Sequence, residues 1–118
     1  VGLMYPSDYG YATVGGITTN KAGCRAQALY NWDSSSYSDC KNNDWVFKSA
    51  TFIGAGEWLI SPNASISNYA SILNSTGYVN ADNVVNGQFA VRPTFYLDSN
   101  LKIVGTGDGT KGNAYRIG

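Results

Sequence analysis

The sequence predicts an α+β domain, built mostly of short antiparallel strands with one helix near residues 21–30. Its 118 residues match the typical length of one compact domain. Clusters of Gly, Asn, Ser and Asp recur along the chain, and the apolar stretches between them have roughly the four to eight residues of a strand. Residues 21–30 differ, because they combine helix formers and contain no β-branched residue. We therefore expect one compact domain and no second core.

Nine short segments are predicted as strands. They are residues 1–5, 45–47, 58–61, 69–74, 78–80, 83–85, 91–97, 101–104 and 114–117. In the seventh segment Pro93 has no N–H to donate to a β-ladder, so it marks an edge or a bulge. The Gly- and Asp-rich residues 105–112 are predicted to form the turn before the last strand.

The predicted helix begins after Asn20, whose side chain suits the N-cap position. Gly23 weakens this helix by roughly 1 kcal/mol relative to alanine. Cys24, Ala28 and Leu29 are expected to share the face that is directed to the core.

Cys24 and Cys40 are the only cysteines, and no Cys-x-x-Cys motif or further ligand residue accompanies them. We predict that they form a disulfide, which for a loop of this length stabilises the fold by roughly 3 kcal/mol. The alternative is a pair of buried reduced thiols. A disulfide is typical of exported proteins, so we expect an extracellular or cell-surface location. The chain starts within a strand-like segment, which predicts the C-terminal part of a longer protein.

Composition excludes several classes of partner. Eight Lys and Arg balance eight Asp and Glu, so the chain lacks the basic surface of a nucleic-acid binder. No apolar run approaches the roughly 20 residues of a membrane helix, so we expect no membrane insertion by this segment. Charged residues make up 14% of the chain, against about 25% in typical domains. The polar surface must therefore be largely Ser, Thr, Asn and Tyr.

The residues for catalysis are few. There is no histidine, which excludes Ser-His-Asp and Cys-His mechanisms and His-ligated zinc. Glu57 is the one glutamate, and with an aspartate it would make the carboxylate pair of a glycosidase. It follows two glycines, however, so we expect it in a solvated turn. The sequence predicts a domain that is not an enzyme, with a glycosidase-like activity as the alternative.

Residues 61–90 are the most informative region for binding. They interleave Asn, Ser and Tyr with apolar residues, a composition that gives adaptable hydrogen bonding and rigid contact area. The candidate ligand-binding residues in and beside this region are Trp58, Asn63, Asn68, Tyr69, Tyr78, Asn80, Asp82 and Asn83. The alternative is that these polar residues only face solvent on half-buried strands.

Asp82, together with Asn80, Asn83 and Asn86, offers oxygen ligands of the kind that calcium takes. One carboxylate is too few for a tight site. We therefore expect no metal and no cofactor, with calcium near Asp82 as a weak alternative.

Several motifs in one order resemble a known family. They are VGLMYPSDYGYA at 1–12, the cysteine pair, NDW at 43–45, EWLISP at 57–62, VRPTFYL at 91–97 and GDGT at 107–110. Together they resemble the C-terminal part of an uncharacterised family of exported proteins of Gram-positive gut bacteria. Many of its members resemble type IV pilin-like proteins with a hydrophobic prepilin helix upstream. The resemblance implies other pilin-type subunits as partners.

A looser resemblance links Trp58 and the FAVR motif at 89–92 to C-type-lectin-like and formylglycine-generating-enzyme-like folds. There, a Trp-containing strand precedes an Asn/Ser-rich region that ends in a Gly-Phe-Arg-like motif. This chain departs from the motif, because Phe89-Ala90 replaces the usual glycine. The resemblance implies a ligand-binding surface, which in related proteins is diversified at Asn, Ser and Tyr positions. It does not imply the enzyme activity, because the cysteine pair is more simply a structural disulfide.

These observations predict a non-enzymatic, surface-exposed module. It is either a pilin-type filament subunit or tip adhesion domain, or a lectin-like domain that binds a glycan or protein on a host or bacterial surface. A formylglycine-generating-like or glycosidase-like enzyme is the remaining alternative.

Overall fold

The computed structural model of the chain describes residues 1–108 and 112–118. The described residues form four short α-helices and two antiparallel sheets, so the predicted α+β class is confirmed with more helix than expected. The helices are α1 (Pro6–Ala12), α2 (Lys21–Ala26), α3 (Ser38–Asn42) and α4 (Trp45–Ser49). The strands are β1 (Gly56–Pro62), β2 (Tyr69–Asn74), β3 (Val79–Asn83), β4 (Ile103–Val104) and β5 (Arg116–Ile117). The turn predicted over residues 105–112 includes residues 109–111, which lie outside the described residues.

Helix α1 follows the strand predicted over residues 1–5, and it occupies residues whose Ser, Asp and Gly content at 7–10 predicts a turn. Pro6 takes the first helical position, where a missing N–H leaves no hydrogen bond unmade. The Asp8 carboxylate accepts a hydrogen bond from the backbone N–H of Tyr5 at 2.8 Å, as in a helical capping box. The Tyr9 ring is fully buried against Trp32, with ring centroids 4.9 Å apart. Pro, Ser and Asp suit both a turn and a helix start, and the burial of Tyr9 favours the helix.

Helix α2 confirms the predicted helix and its cap. The side chain of Asn20 accepts a hydrogen bond from the N–H of Gly23 at 2.8 Å. The helix ends at Ala26, earlier than predicted, because Gln27 has extended backbone angles and its N–H bonds back to the Cys24 carbonyl. The remaining residues of the predicted helix continue into a 3₁₀-helix at Leu29–Asn31.

Residues 45–47 were predicted as a strand, and that prediction is wrong, because they begin α4. The Asp44 side chain accepts a hydrogen bond from the N–H of Phe47 at 2.9 Å, which caps the helix. Three apolar residues in a row do not distinguish a strand from a helix, and here the cap decides. Helix α3 precedes α4 and contains Cys40.

The main sheet has the strand order β1-β2-β3 and is antiparallel throughout. Strand β2 has the predicted bounds, and β1 includes the predicted residues 58–61. One strand, β3, replaces the two predicted over residues 78–80 and 83–85. At the other edge of β1, Ala90 exchanges two backbone hydrogen bonds with Gly56 and Trp58.

The segments predicted as strands at residues 1–5 and 91–97 meet at a single antiparallel bridge, between Gly2 and Thr94. Strands β4 and β5 pair with each other in a separate small sheet. They confirm, in shortened form, the strands predicted over residues 101–104 and 114–117. The backbone hydrogen bonds that join Lys102 to Gly118 and Leu101 to Asp98 lie within this hairpin or at its start.

The core lies between the helices and one face of the main sheet. Its buried members are Met4, Tyr9, Cys24, Trp32, Cys40, Val46, Leu59 and Leu73. Cys24 and Cys40 form the predicted disulfide, with Cα atoms 5.5 Å apart and both side chains fully buried. The bond ties α2 to α3 across the loop between them, and it is compatible with an extracellular protein.

Candidate functional site

The predicted ligand-binding residues all lie on the main sheet or in its connections, but on two faces. Side chains alternate between the faces of a strand, and directly paired residues share a face. Trp58 and Asn80 both pair with Ile72 of β2, so these two share the face opposite Leu73. Tyr69 pairs with Asn83, and both belong to the face of the core residue Leu73. The structure therefore brings together only part of the predicted set.

On the face opposite the core, Trp58 covers buried Ile72. The Trp58 ring packs edge-to-face on Phe89, with centroids 4.9 Å apart, and is half-buried. Residue 87 is a glycine because an added Cβ would lie 2.7 Å from the Phe89 ring and 3.0 Å from the Trp58 ring. Trp58 thus closes a small second apolar cluster instead of offering a fully open stacking face.

Several predicted polar ligands are used by the turns of the chain. The Asn63 side-chain oxygen accepts hydrogen bonds from the N–H groups of Ser65 and Ile66 at 2.8 and 2.9 Å. The side-chain oxygen of Asn83 accepts from the N–H of Val85 at 2.8 Å. Oxygens bound in this way stabilise local turns and are less available to a ligand.

The remaining candidates differ in exposure. Asn68 and Asn80 are exposed, whereas Tyr69 and Tyr78 are half-buried. Asp82 is also half-buried, and its Oδ1 accepts a hydrogen bond from the N–H of Asn83 at 2.6 Å. Within residues 1–108 and 112–118, no three His, Cys, Asp or Glu side chains come together as metal ligands. The absence of a metal site remains an expectation.

One buried ion pair among the described residues is not predicted from the sequence. Glu57 is 1% exposed in β1, so the expectation of a solvated turn is wrong. Arg92 holds it with Nε 3.0 Å from Oε1 and Nη2 2.9 Å from Oε2. A buried carboxylate needs such a bidentate partner to offset its loss of hydration. The one sequence signal is that Glu57 and Arg92 belong to two of the ordered motifs quoted above, EWLISP at 57–62 and VRPTFYL at 91–97.

Arg92 also reaches helix α4. Its Nη1 donates to the Ser49 hydroxyl at 3.0 Å, and its Nη2 donates to the Val46 carbonyl at 3.1 Å. The guanidinium therefore joins β1, the end of α4 and the segment that follows Ala90. Both Glu57 oxygens are occupied by this structural contact, which leaves the glycosidase-like alternative without a free carboxylate at that position.

Asp44 is a second buried carboxylate in this region. It is fully buried, and its Oδ2 has no hydrogen-bond partner among the residues the structure describes. Burial raises the pKa of Asp44 to about 6, against the opposing effects of the Phe47 and Val46 amides and the charge of Arg92. Burial, and then the charge of Asp44, raise the pKa of the Tyr9 hydroxyl, which donates to the Gly77 carbonyl at 2.6 Å.

The C-terminal quarter of the chain exposes apolar side chains. Nine large apolar residues in this segment are between 42% and 102% exposed: Val91, Phe95, Tyr96, Leu97, Leu101, Ile103, Val104, Tyr115 and Ile117. Ile103, Val104 and Ile117 lie on the β4–β5 hairpin and are called here the hairpin patch. Exposed apolar surface of this extent is typical of an interaction site.

A groove of about 420 Å³ lies beside this segment. Its apolar lining, called here the N-terminal groove, consists of Val1, Leu3, Tyr5, Ile60, Phe95 and Tyr96, and Asp8 lies beside these residues. The groove and the hairpin patch are thus two separate apolar surfaces.

No family model, curated protein or solved structure matches the chain. The resemblances to pilin-like and lectin-like proteins therefore remain predictions. Among the described residues, no helix has the length and apolar character needed to cross a membrane.

Proposed function

We propose that this chain is a non-enzymatic, surface-exposed module of a pilin-type assembly, in which the hairpin patch of one copy packs into the N-terminal groove of the next. The observation behind the proposal is the exposure of nine large apolar residues in the C-terminal segment. Burial of such surface releases roughly 25 cal/mol per Å², which makes a covered state more favourable than a solvated one. The buried disulfide supports an extracellular setting.

The two surfaces suit a head-to-tail contact. The patch lies on a small two-stranded sheet, and the groove is built from the first residues, β1 and the residues around Thr94. A contact between two different surfaces is heterologous and, where the rotation does not close, it produces an open filament. A self-complementary contact would instead stop at a dimer.

Two double variants test this arrangement. The patch variant, Ile103→Asp with Ile117→Lys, replaces a directly paired position by opposite charges, which keeps the hairpin compatible with pairing. The groove variant is Ile60→Asp with Tyr96→Asp. Ile17→Ser is the control, because Ile17 is fully exposed and lies outside both surfaces.

We expect the unmodified chain and the Ile17→Ser chain to form assemblies whose mass rises with concentration, measured by light scattering and sedimentation. Each double variant alone should stay monomeric. A mixture of the two retains one intact patch and one intact groove, so it should form a 1:1 heterodimer and nothing larger. A monomeric unmodified chain, or assembly that persists in both variants, would contradict the proposal.

A ligand-binding function is the second candidate, supported by the exposed Asn68 and Asn80 amides near the ends of the main sheet. Replacement of both by alanine should then abolish adhesion to the target surface while the circular dichroism spectrum stays unchanged. Unchanged adhesion would contradict ligand binding through these two residues, and assembly would then be the one remaining proposal.

A further inference from the structure

A further groove in the described part of the chain belongs to neither surface above. It lies between α1 and α2, and its volume of about 470 Å³ falls within the roughly 300–1,000 Å³ of small-ligand sites. Tyr11 of α1 and Arg25 of α2 line it, and Trp32 with the disulfide-bonded Cys24 forms its buried wall. The disulfide and the packed indole fix that wall, so the groove exists before any ligand binds.

Arg25 is held in place without its charge being neutralised. Its guanidinium carbon lies 4.2 Å above the centre of the Tyr11 ring, and the side chain is exposed. In the described part of the chain, the one salt bridge is that of Arg92 with Glu57, so Arg25 has no carboxylate partner. A stacked guanidinium keeps its donors in one plane and loses little further entropy when it binds an anion.

The remaining lining favours a hydroxylated ligand with one negative charge. Ser7 and Gln27 offer a hydroxyl and an amide, groups that hydrogen-bond sugar hydroxyls. The Trp32 indole N–H in the buried wall has no acceptor within the described residues. A single cation suits a carboxylate better than a phosphate dianion, because a planar guanidinium matches a carboxylate with two parallel hydrogen bonds.

We propose that this groove binds a carboxylate-bearing sugar of the hexuronic acid class, with Arg25 on the carboxylate and the Tyr11 ring beside the apolar face of the sugar. The proposal goes beyond the assembly function and does not depend on it, because no residue of the hairpin patch or the N-terminal groove lines this site.

The test compares sodium D-galacturonate with D-galactose, which lacks the carboxylate but keeps the ring. Amide chemical-shift changes of the full chain are recorded during titration with each sugar at millimolar concentrations. We expect galacturonate to shift the amides around Tyr11, Arg25 and Gln27, and galactose to bind at least about tenfold more weakly. Equal binding of both sugars, or no binding of galacturonate, would overturn the proposal.

Variants separate the role of Arg25 from general electrostatics. Arg25→Gln should weaken galacturonate binding by about tenfold or more, and Arg25→Lys should give an intermediate loss because the bidentate fork is absent. Lys21→Gln removes a charge from the same helix outside the groove and should leave the affinity unchanged. An equal loss in the Lys21→Gln and Arg25→Gln chains would show a non-specific charge effect and reject the site. The patch variant, Ile103→Asp with Ile117→Lys, should bind galacturonate normally, so failure of assembly and failure of this site are distinguishable.

Discussion

Asp44 stabilises helix α4 as its N-cap but also buries a carboxylate oxygen that has no hydrogen-bond partner among the described residues. Its Oδ1 makes the cap, and its Oδ2 is the buried oxygen. The raised pKa means that the folded state binds a proton more tightly than the unfolded state between about pH 4 and pH 6. The free energy of unfolding therefore decreases as the pH rises through this window. The full decrease is reached above the folded-state pKa of Asp44.

We expect this effect to reach about 3 kcal/mol, because the pKa rises by roughly two units from 3.8 and each unit is worth 1.36 kcal/mol. Asp44→Asn keeps the cap and removes the titration, so its stability relative to the unmodified chain should increase between pH 4 and pH 7. Urea unfolding at several pH values measures this difference. Asp33→Asn, at an exposed position, is the control, and parallel curves for the Asp44→Asn and unmodified chains would contradict the assignment.

Asp39 works in the opposite direction. The Thr18 hydroxyl and the Thr18 and Thr19 amides donate to its carboxylate, and these hydrogen bonds lower the pKa of Asp39. A lowered folded-state pKa adds stability as the pH rises from acid. The pH dependence of a single chain would combine the opposite effects of Asp39 and Asp44. The Asp44 experiment therefore compares the Asp44→Asn chain with the unmodified chain at each pH.

Glu57 and Arg92 form the most consequential pair of side chains. Removal of one member leaves the other buried or half-buried without its charge partner, which typically costs about 3–5 kcal/mol. We expect Glu57→Gln and Arg92→Met each to lower the free energy of unfolding by an amount of this order. The double variant should lose clearly less than the sum, because the pair shares one interaction. Additive losses in a double-mutant cycle would contradict the coupling.

At the scale of elements, the disulfide is the main fixed connection among the short helices. Helices α2 and α3 have six and five residues, far below the roughly 12–15 that an isolated helix needs to be stable in water. Their stability must therefore come from packing and from the bond between Cys24 and Cys40.

The Cys24→Ala, Cys40→Ala double variant should have a free energy of unfolding about 2–5 kcal/mol lower than that of the native chain. Mass spectrometry of the native chain without reductant should show a mass lower by two hydrogens than the reduced chain. Two thiols that react with an alkylating agent in the folded protein would contradict the disulfide. The Asn20→Ala variant offers a milder comparison, since loss of the α2 cap costs about 1 kcal/mol.

At the scale of the whole molecule, the C-terminal hairpin is separate from the core. Among the described residues, none beyond position 90 belongs to the core, and the backbone hydrogen bonds that join Lys102 to Gly118 and Leu101 to Asp98 lie within the hairpin or at its start. A chain that ends at Asp98 keeps Arg92 and the bridge at Thr94. Its free energy of unfolding should match that of the full chain to within about 1 kcal/mol, whereas assembly should be lost. A large fall in stability on truncation would show that the hairpin belongs to the folding unit.

The fold class, the α2 cap, the disulfide and β2 were all predictable from the sequence. Each depends on local chemistry: Asn20 is followed by helix formers, the cysteines are an isolated pair, and the apolar residues of β2 lie between turn signals. The sequence likewise indicates the Asn/Ser/Tyr-rich region, although it does not show which side chains share a face. That depends on strand register, which places Trp58 and Tyr69 on opposite faces.

Tertiary structure decided the rest. Glu57 is buried because Arg92, 35 positions away, is folded against it. This burial is not contained in the local pattern, since a buried charge is tolerated only when a partner from elsewhere in the chain contacts it. The groove between α1 and α2 likewise depends on distant contacts, because its wall contains Trp32, which packs on Tyr9 of α1, and Cys24, which is bonded to Cys40 of α3. The sequence by itself determined the fold class, the cap of α2, the strand β2 and which cysteines bond. Packing of distant residues determined where charges, grooves and open apolar surfaces lie.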